Sequence, residues 1–329
     1  MCLPAVHALK KSKTAIRITI LVRHSLADFW KLVSAVDSII PYEQTLAGTL
    51  HCVMALRQHR FARAFVFPNS FRSALIPFLA GIPSRAGLRG FSRAYMLTEI
   101  VESPSKTNPA RQHQAWDYMA IVGLADKYSE LQLPPLNVPE NILHRCKEQL
   151  RLPPDSILVG IFPGAMRGPS KRWPTEYFIE MAQKLQKFVN VFFLIFGSKQ
   201  EVELCEIVHS GIGNNSINLA GKTTLIELAG FLKLSEVVVS NDSGGMHLAS
   251  ATGTKVVAIF GMTDPLRTGP LGNYHRVISV SGIKHSSEIA RHSQEAERIL
   301  RSILPDNVVA VVLDVLEKRN QIHHLDSKK

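Results

Sequence analysis

The fold class this sequence predicts is α/β, with parallel sheets spread over two domains, and three observations predict it. Its 329 residues exceed what one hydrophobic core holds, so two domains of roughly 150 residues each are expected. Short β-branched or apolar runs recur along the chain, each followed by an amphipathic stretch, which is the alternation of strands and helices around parallel sheets. Apolar residues make up 46% and charged residues 20%, the composition of a globular chain.

In the first half, residues 16–22 and 64–67 read as strands, with a helix over 46–58 between them. The second half is plainer: strands are predicted at 157–162, 191–196, 217–219, 237–240, 256–260 and 277–280, separated by helical segments such as 175–187 and 225–232. Residues 131–154 contain Pro134, Pro135, Pro139, Pro153 and Pro154, which suits a linker more than a core element. The expected domains are therefore 1–140 and 141–329. The polar stretch 321–329 reads as a fraying tail, with His323 and His324 part of it rather than metal ligands.

Composition removes several classes. No run approaches the ~18 apolar residues of a membrane span, and the opening segment carries its lysines on the wrong side of a short apolar stretch for a secretory signal. Cys2, Cys52, Cys146 and Cys205 lack C-x-x-C spacing, so neither a zinc site nor a disulfide framework is expected, and a reducing cytoplasm fits. The net charge is +11, and residues 44–98 hold no Asp or Glu although Arg57, Arg60, Arg63, Arg72, Arg85, Arg89 and Arg93 all fall there. Such a field is either a solvated basic surface or a site for an anionic partner: a lipid surface, an acidic glycan or nucleic acid. Nucleic acid ranks lowest, because aromatic residues are only 7% and no Arg/Gly repeat, zinc-finger or RNP spacing accompanies the charge.

Open parallel sheets bind ligands beyond the carboxyl ends of their strands, where small residues let backbone N–H groups approach. The predicted strands of the second half are followed by Pro163-Gly164-Ala165, Gly197-Ser198, Ala220-Gly221, Asn241-Asp242-Ser243-Gly244-Gly245 and Gly261-Met262-Thr263. Any one glycine can simply end a strand, but five in succession point to one ligand-bearing edge. The sharpest is the turn Asn241 to His247, after an apolar run and before a helical stretch at 246–251. Asp242 or Ser243 can cap that helix, and Gly244 and Gly245 expose N–H groups at its positive end, an anion site suited to a diphosphate. His247 falls in the first turn; alone it would more often be a core or capping residue, but beside this turn it is a phosphate donor. A second cluster runs from Gly164 to Pro174, where Lys171 and Arg172 can neutralise a diphosphate and Trp173 can close the loop. Gly221-Lys222-Thr223 lacks the first glycine of a P-loop, since position 216 is Ser216, and Gly211-Ile212-Gly213 precedes a predicted strand instead of following one. Neither an NTPase nor a nicotinamide enzyme is expected.

These clusters, together with Val66-Phe67-Pro68-Asn69-Ser70-Phe71-Arg72-Ser73-Ala74, Ala80-Gly81-Ile82-Pro83-Ser84-Arg85-Ala86-Gly87, Leu219-Ala220-Gly221-Lys222-Thr223 and Gly261-Met262-Thr263-Asp264-Pro265, resemble the ADP-heptose:lipopolysaccharide heptosyltransferases of glycosyltransferase family 9, above all the heptosyltransferase II branch. The resemblance covers nearly the whole chain in order. It implies a GT-B fold of two Rossmann-like domains facing a cleft, no metal or cofactor, and inverting transfer of heptose from ADP-heptose to the inner core of lipopolysaccharide. By the same resemblance Lys171 contacts the donor diphosphate, Asp242 faces the heptose, and Ser243, Gly244, Gly245 and His247 hold the phosphates. Gly197 and Glu201 lie on the adenosine side, and Asn69, Ser70, Arg72, Arg85 and Arg89 line the acceptor side. The implied partners are ADP-heptose, a lipid A-core glycolipid and the anionic inner face of the inner membrane, with no nucleic acid.

The resemblance fails at the beginning. Family members open with a buried strand, a turn containing Gly-Asp and a helix with Leu-Pro-Ala, whereas Met1-Cys2-Leu3-Pro4-Ala5-Val6 already matches that helix. The N-terminal domain is thus expected to lack its first strand and the Asp that serves as general base, which leaves the catalytic residue unassigned. The expectation is a start codon placed too late; the rival is a truncated relative that binds nucleotide sugar or acidic glycolipid without turnover. A second departure lies at 284–298, where relatives of this branch often carry several cysteines and this chain has none.

Overall fold

A computed structural model of the chain describes residues 1–12, 15–150, 152–272, 274–283, 285–286, 290 and 292–326, with side chains described as far as residue 317. The chain divides into two compact units, residues 1–134 and 135–329.

The first unit carries two parallel sheets. One pairs β1 (Thr19–Arg23) with β2 (Ser38–Tyr42); the other has the order β3 (Arg63–Val66), β4 (Ser84–Leu88), β5 (Glu99–Val101). Among the described residues no strand pairs with the second edge of β1 or of β3. The predicted strands at 16–22 and 64–67 correspond to β1 and β3, but β2, β4 and β5 escaped the sequence pattern. Pro41 sits within β2 opposite Val22, where a residue without an N–H is tolerated because β2 is an outer strand. In β4, Arg85 and Gly87 break the β-branched signal. The helix predicted over 46–58 forms as Leu46–His59, capped by Thr45, whose hydroxyl accepts the Gly48 N–H at 2.9 Å. Its buried Cys52, Val53 and Leu56 pack with Ile76 and Ile82, and with Leu21 and Ile40 of one sheet and Ala64 of the other. The helix Leu3–Ser12 lays Ala5 and Ala8 against Trp116 and Met119, and Lys10 at its end donates to Asp37 and to the Ile16 carbonyl. That bond, and the Ile18 N–H, hold the Asp37 carboxyl below its usual range.

The second unit is one six-stranded parallel sheet in the order β11 (Arg276–Ser279), β10 (Lys255–Phe260), β9 (Val237–Asn241), β6 (Ile157–Phe162), β7 (Val191–Ile195), β8 (Ser216–Asn218). All six predicted strands are present to within a few residues. They were legible because a strand buried on both faces reads as an unbroken apolar run, and β6, β7, β9 and β10 are buried almost throughout. Helices Thr175–Leu185, Val202–Ile212 and Pro305–Asp326 cover one face through Phe178, Met181, Val208, Val312 and Val315. The chain leaves β6 toward β7 and β8, then returns to β6's other side with β9, so the strand order reverses between β6 and β9. A crevice at the carboxyl ends of two such strands is where open α/β sheets take their ligands.

The segment predicted as a linker holds the division between the two units, at 134–135, but part of it is packed helix. Residues 140–149 form the helix Glu140–Gln149, which buries Ile142 and Cys146 against the helix Leu225–Leu234, and Leu136 donates its N–H to Ala251 O at 2.9 Å. The prolines flank this helix without interrupting it, with Pro139 preceding its first turn, a position where proline costs nothing. At the other end the helical backbone continues to Asp326, while the His323 and His324 side chains lie outside the described ones. Among the described residues no helix is long and apolar enough to cross a membrane.

Candidate functional site

Because the sheet of the second unit is wholly parallel, the five glycine-bearing loops predicted from sequence all leave its one carboxyl edge, after β6, β7, β8, β9 and β10. Two of them meet at the switch point. The β6 loop runs to Trp173, and the β9 turn carries Asp242 and Ser243 into the helix Gly244–Ala251.

Asn241 fastens the two together. Fully buried at the end of β9, it donates from Nδ2 to Pro163 O at 2.9 Å and accepts the Trp173 N–H at 2.9 Å. Trp173, also buried, donates from its indole to Ile303 O at 2.8 Å. Lys171 is therefore delivered to Asp242, and its ammonium donates to Asp242 Oδ2. The same oxygen accepts the Thr263 hydroxyl at 2.9 Å, so three loops converge on one carboxylate. Lys171 and Asp242 keep 14% and 10% of their side-chain surface exposed, enough to meet a ligand while shielded from bulk solvent.

Beside this pair the helix Gly244–Ala251 begins without a side-chain cap. Ser243 occupies the N-cap position, but its hydroxyl lies 3.2 Å from that of Ser240. The positive end of the helix is left to its own N–H groups, and Gly244 has open space where a Cβ would project. Gly245 is required for a different reason: a Cβ there would come within 2.5 Å of the Phe162 ring. His247 follows in the first turn, half-buried. Lys171, Asp242, Ser243, Gly244, Gly245 and His247 thus share the region around the ends of β6 and β9.

Gly197 and Glu201 lie one strand over, after β7. Glu201 caps its own helix start, accepting the Ser198 N–H at 2.9 Å and the Ser198 hydroxyl at 2.8 Å. Its other oxygen lies 2.1 Å from where a Cβ on Gly164 would stand, so the Glu201 carboxylate packs directly on the β6 loop. Gly197 is forced by Cys205, whose sulfur would be 2.7 Å from an added Cβ. Burial pushes the Cys205 thiol up to about 12, so it is an inert packing residue.

Two basic residues of the second unit are spent locally. Arg172 folds back to donate to Ala165 O from both Nε (3.2 Å) and Nη2 (3.1 Å), closing the β6 loop. Lys222 donates to Asn218 O at 2.9 Å and ties the turn after β8.

In the first unit Ser70 caps the helix Phe71–Leu79, accepting the Ser73 N–H at 3.3 Å, and Asn69 Oδ1 lies 2.3 Å from where a Cβ on Gly90 would be. Arg72 and Arg89 are exposed, and Arg72 reaches Gln44 O at 3.3 Å. Arg85 is turned inward to the carbonyls of Ile82 and Met96 and lies over the Phe78 ring. The residue that organises this loop is Arg93. It is fully buried with no carboxylate beside it among the described residues, and its guanidinium donates to the carbonyls of Val66, Pro68 and Ser70 and to the Ser73 hydroxyl. Gly87 and Gly90 clear its path, since a Cβ on either would lie within 2.7 Å of its side chain.

The family model for glycosyltransferase family 9 (heptosyltransferase) matches residues 50–298. Lipopolysaccharide heptosyltransferase 2 of Escherichia coli (strain K12) is 32% identical over 263 residues, which is 78% of this chain and 75% of that protein. The enzyme of the same name from Salmonella typhimurium is 31% identical over 274 residues, 80% of this chain and 78% of that one. The solved structure of E. coli ADP-heptose lps heptosyltransferase II matches with a TM-score of 0.83 at 27% identity, covering 97% of this chain and 95% of its own. The parallel-sheet α/β fold is accordingly that of the GT-B heptosyltransferases. With a family model over most of its length and relatives above 30% identity over three quarters of theirs, the chain belongs to glycosyltransferase family 9, the heptosyltransferases.

Proposed function

We propose that this chain transfers heptose from ADP-heptose to an inner-core sugar of lipopolysaccharide with inversion at the anomeric carbon. One observation carries the reading: Lys171, Asp242 and Thr263 converge from three loops beside the uncapped, glycine-opened start of the helix Gly244–Ala251. The relatives' names supply the sugar and acceptor, and the site supplies a chemistry that fits them.

In the transfer the acceptor hydroxyl oxygen attacks the anomeric carbon from the face opposite the nucleotide, and its proton is released in the net reaction to solvent. The bond from that carbon to the β-phosphate oxygen breaks, and ADP departs with the electron pair. Catalysis rests on stabilising the charge that grows on the leaving diphosphate. Lys171 and the N–H groups of Gly244 and Gly245 are the donors for it. Asp242, itself held by the Thr263 hydroxyl, fixes the Lys171 ammonium, so little reorganisation is needed when phosphate arrives. Asp242 then faces the sugar, where a carboxylate can accept hydroxyl hydrogen bonds. Ser243 and His247 complete the phosphate side, and Gly197 and Glu201 the adenosine side. Asn69, Ser70, Arg72 and Arg89 present polar and basic groups to an acidic core acceptor, while Arg85 supports the loop beneath them.

Incubation with ADP-heptose and a heptose-deficient core glycolipid, read by mass spectrometry and by NMR of the new linkage, tests the reading. One heptose gained per ADP released, with inverted anomeric configuration, is expected. Retained configuration, or ADP-heptose hydrolysis with no gain by the acceptor, would overturn it.

A further inference from the structure

Lys171 reaches Asp242 from the end of a short turn, Pro169–Lys171, which the chain enters through Gly168 at φ 92°. The Lys171 N–H donates to Gly168 O at 3.1 Å, but a single tight turn does not by itself fix a long, flexible side chain. Its rigidity has to come from neighbours. After Lys171 the chain is fastened where the Trp173 N–H meets Asn241. Before Lys171 the fastening is Ser170. This serine is 2% exposed, and its hydroxyl donates to Ala290 O at 2.7 Å and accepts the Ser293 N–H at 2.8 Å.

Both partners stand at the head of a helix that is itself anchored. Ser293 caps Gln294–Arg301, accepting the Ala296 N–H at 3.2 Å. Beyond the cap, Leu300 and Ile303 are buried in the core of the parallel sheet, and Ile303 O takes the Trp173 indole proton. The β6 loop is therefore joined to this helix at two points, Ser170 near its start and Trp173 past its end. A further bond runs from the Ser286 N–H to Met262 O at 2.9 Å, one residue before Thr263. Ser286 and Ser293 thus tie one stretch of chain to both loops that bring Thr263 and Lys171 to Asp242. A buried hydroxyl satisfied by such distant backbone makes the position of Lys171 depend on more than its own loop.

We propose that Ser170 is a positioning residue for diphosphate binding: its clasp on Ala290 and Ser293 holds the Lys171 ammonium beside Asp242, where phosphate is met. The inference rests on the reading of Lys171 as a diphosphate ligand and adds the residue through which that ligand is held. A double-mutant cycle on the full chain tests it, with ADP titrated calorimetrically into wild type, Ser170→Ala, Lys171→Met and the double variant. Ser170→Ala weakens ADP binding about fivefold, the effect of losing buried hydroxyl hydrogen bonds. In the Lys171→Met background the same change costs less than about twofold, because no ammonium remains to be placed. Ser170→Cys, whose thiol bonds weakly in the same place, takes the alanine's part in the cycle should Ser170→Ala fail to fold, with a smaller loss expected. Equal losses in both backgrounds mean that Ser170 only supports the fold, and they overturn the proposal. Wild-type affinity in Ser170→Ala, with Lys171→Met weakened, overturns it too and leaves the transfer reading standing. Wild-type affinity in Lys171→Met overturns the diphosphate reading of that residue, and this inference with it.

Discussion

Arg93 is a cation buried without an anion, an arrangement that persists only where carbonyl dipoles replace water around it. Desolvation moves its pKa below the ordinary arginine range, and its Nε has no hydrogen-bond partner among the described residues. Its three carbonyl acceptors belong to the segment bearing Asn69 and Ser70, so the side chain fixes the loop that the transfer reading assigns to the acceptor. Arg93→Met keeps the bulk of the stem but strands those acceptors, and a loss of about 3 kcal/mol in urea unfolding is expected. A loss within 0.5 kcal/mol or so would deny it this role. The sequence held a sign of it that went unread. Gly87, Gly90 and Arg93 fall at intervals of three, two positions without side chains ahead of one long one, but nothing in a linear pattern says that an arginine in a basic stretch points inward. The roles of Asn241 and Thr263 within their loops were hidden for the same reason: each acts on a residue some 20 to 80 positions away. By contrast Lys171 and the Asp242 to His247 turn were legible, because a diphosphate needs small residues at a helix start and that need is written locally.

At the scale of elements, the outer strands of the second unit depend on a half-buried histidine. His275 precedes β11, accepts the Val256 N–H of β10 at Nδ1 (3.1 Å) and lies 2.7 Å from Leu271 O at Nε2, which fixes a neutral ring with its proton on Nε2. Burial lowers its pKa from 6.5 to about 4, with the Leu271 carbonyl opposing. A folded-state pKa below the unfolded one means that the unfolded chain takes up the proton more readily. The stabilisation is thus complete above pH 6.5 and disappears as the pH falls through about 4. The shift corresponds to about 3 kcal/mol. His275→Gln removes the titration, so its urea midpoint should fall less steeply than that of wild type over this window, and parallel slopes would refute the assignment. The elements themselves were unequally readable. Strands β6, β7, β9 and β10 are covered on both faces and announce themselves as apolar runs, whereas β2, β4 and β5 are short and interrupted by Pro41, Arg85 and Gly87, and owe their form to pairing. Prolines around Glu140–Gln149 imitated a linker because composition does not distinguish a proline that starts a helix from one that forbids it.

At the scale of the molecule, two units divide the labour. Residues 135–329 carry one parallel sheet whose order reverses between β6 and β9, and residues 1–134 carry a basic, partly apolar surface. Family 9 membership gives the class of reaction, and the account's own claim is that the β6 loop and the β9 turn form a single diphosphate site. Calorimetric titration of ADP into wild type, Lys171→Met and Gly244→Ala tests that claim most directly. Gly244→Ala meets no protein atom within 4 Å, so a loss of affinity there reports the ligand and not the fold. The account predicts saturable binding by wild type that weakens roughly tenfold or more in each variant, the cost of a missing charge-assisted hydrogen bond or an obstructed helix start. Wild-type affinity retained in both variants would contradict it.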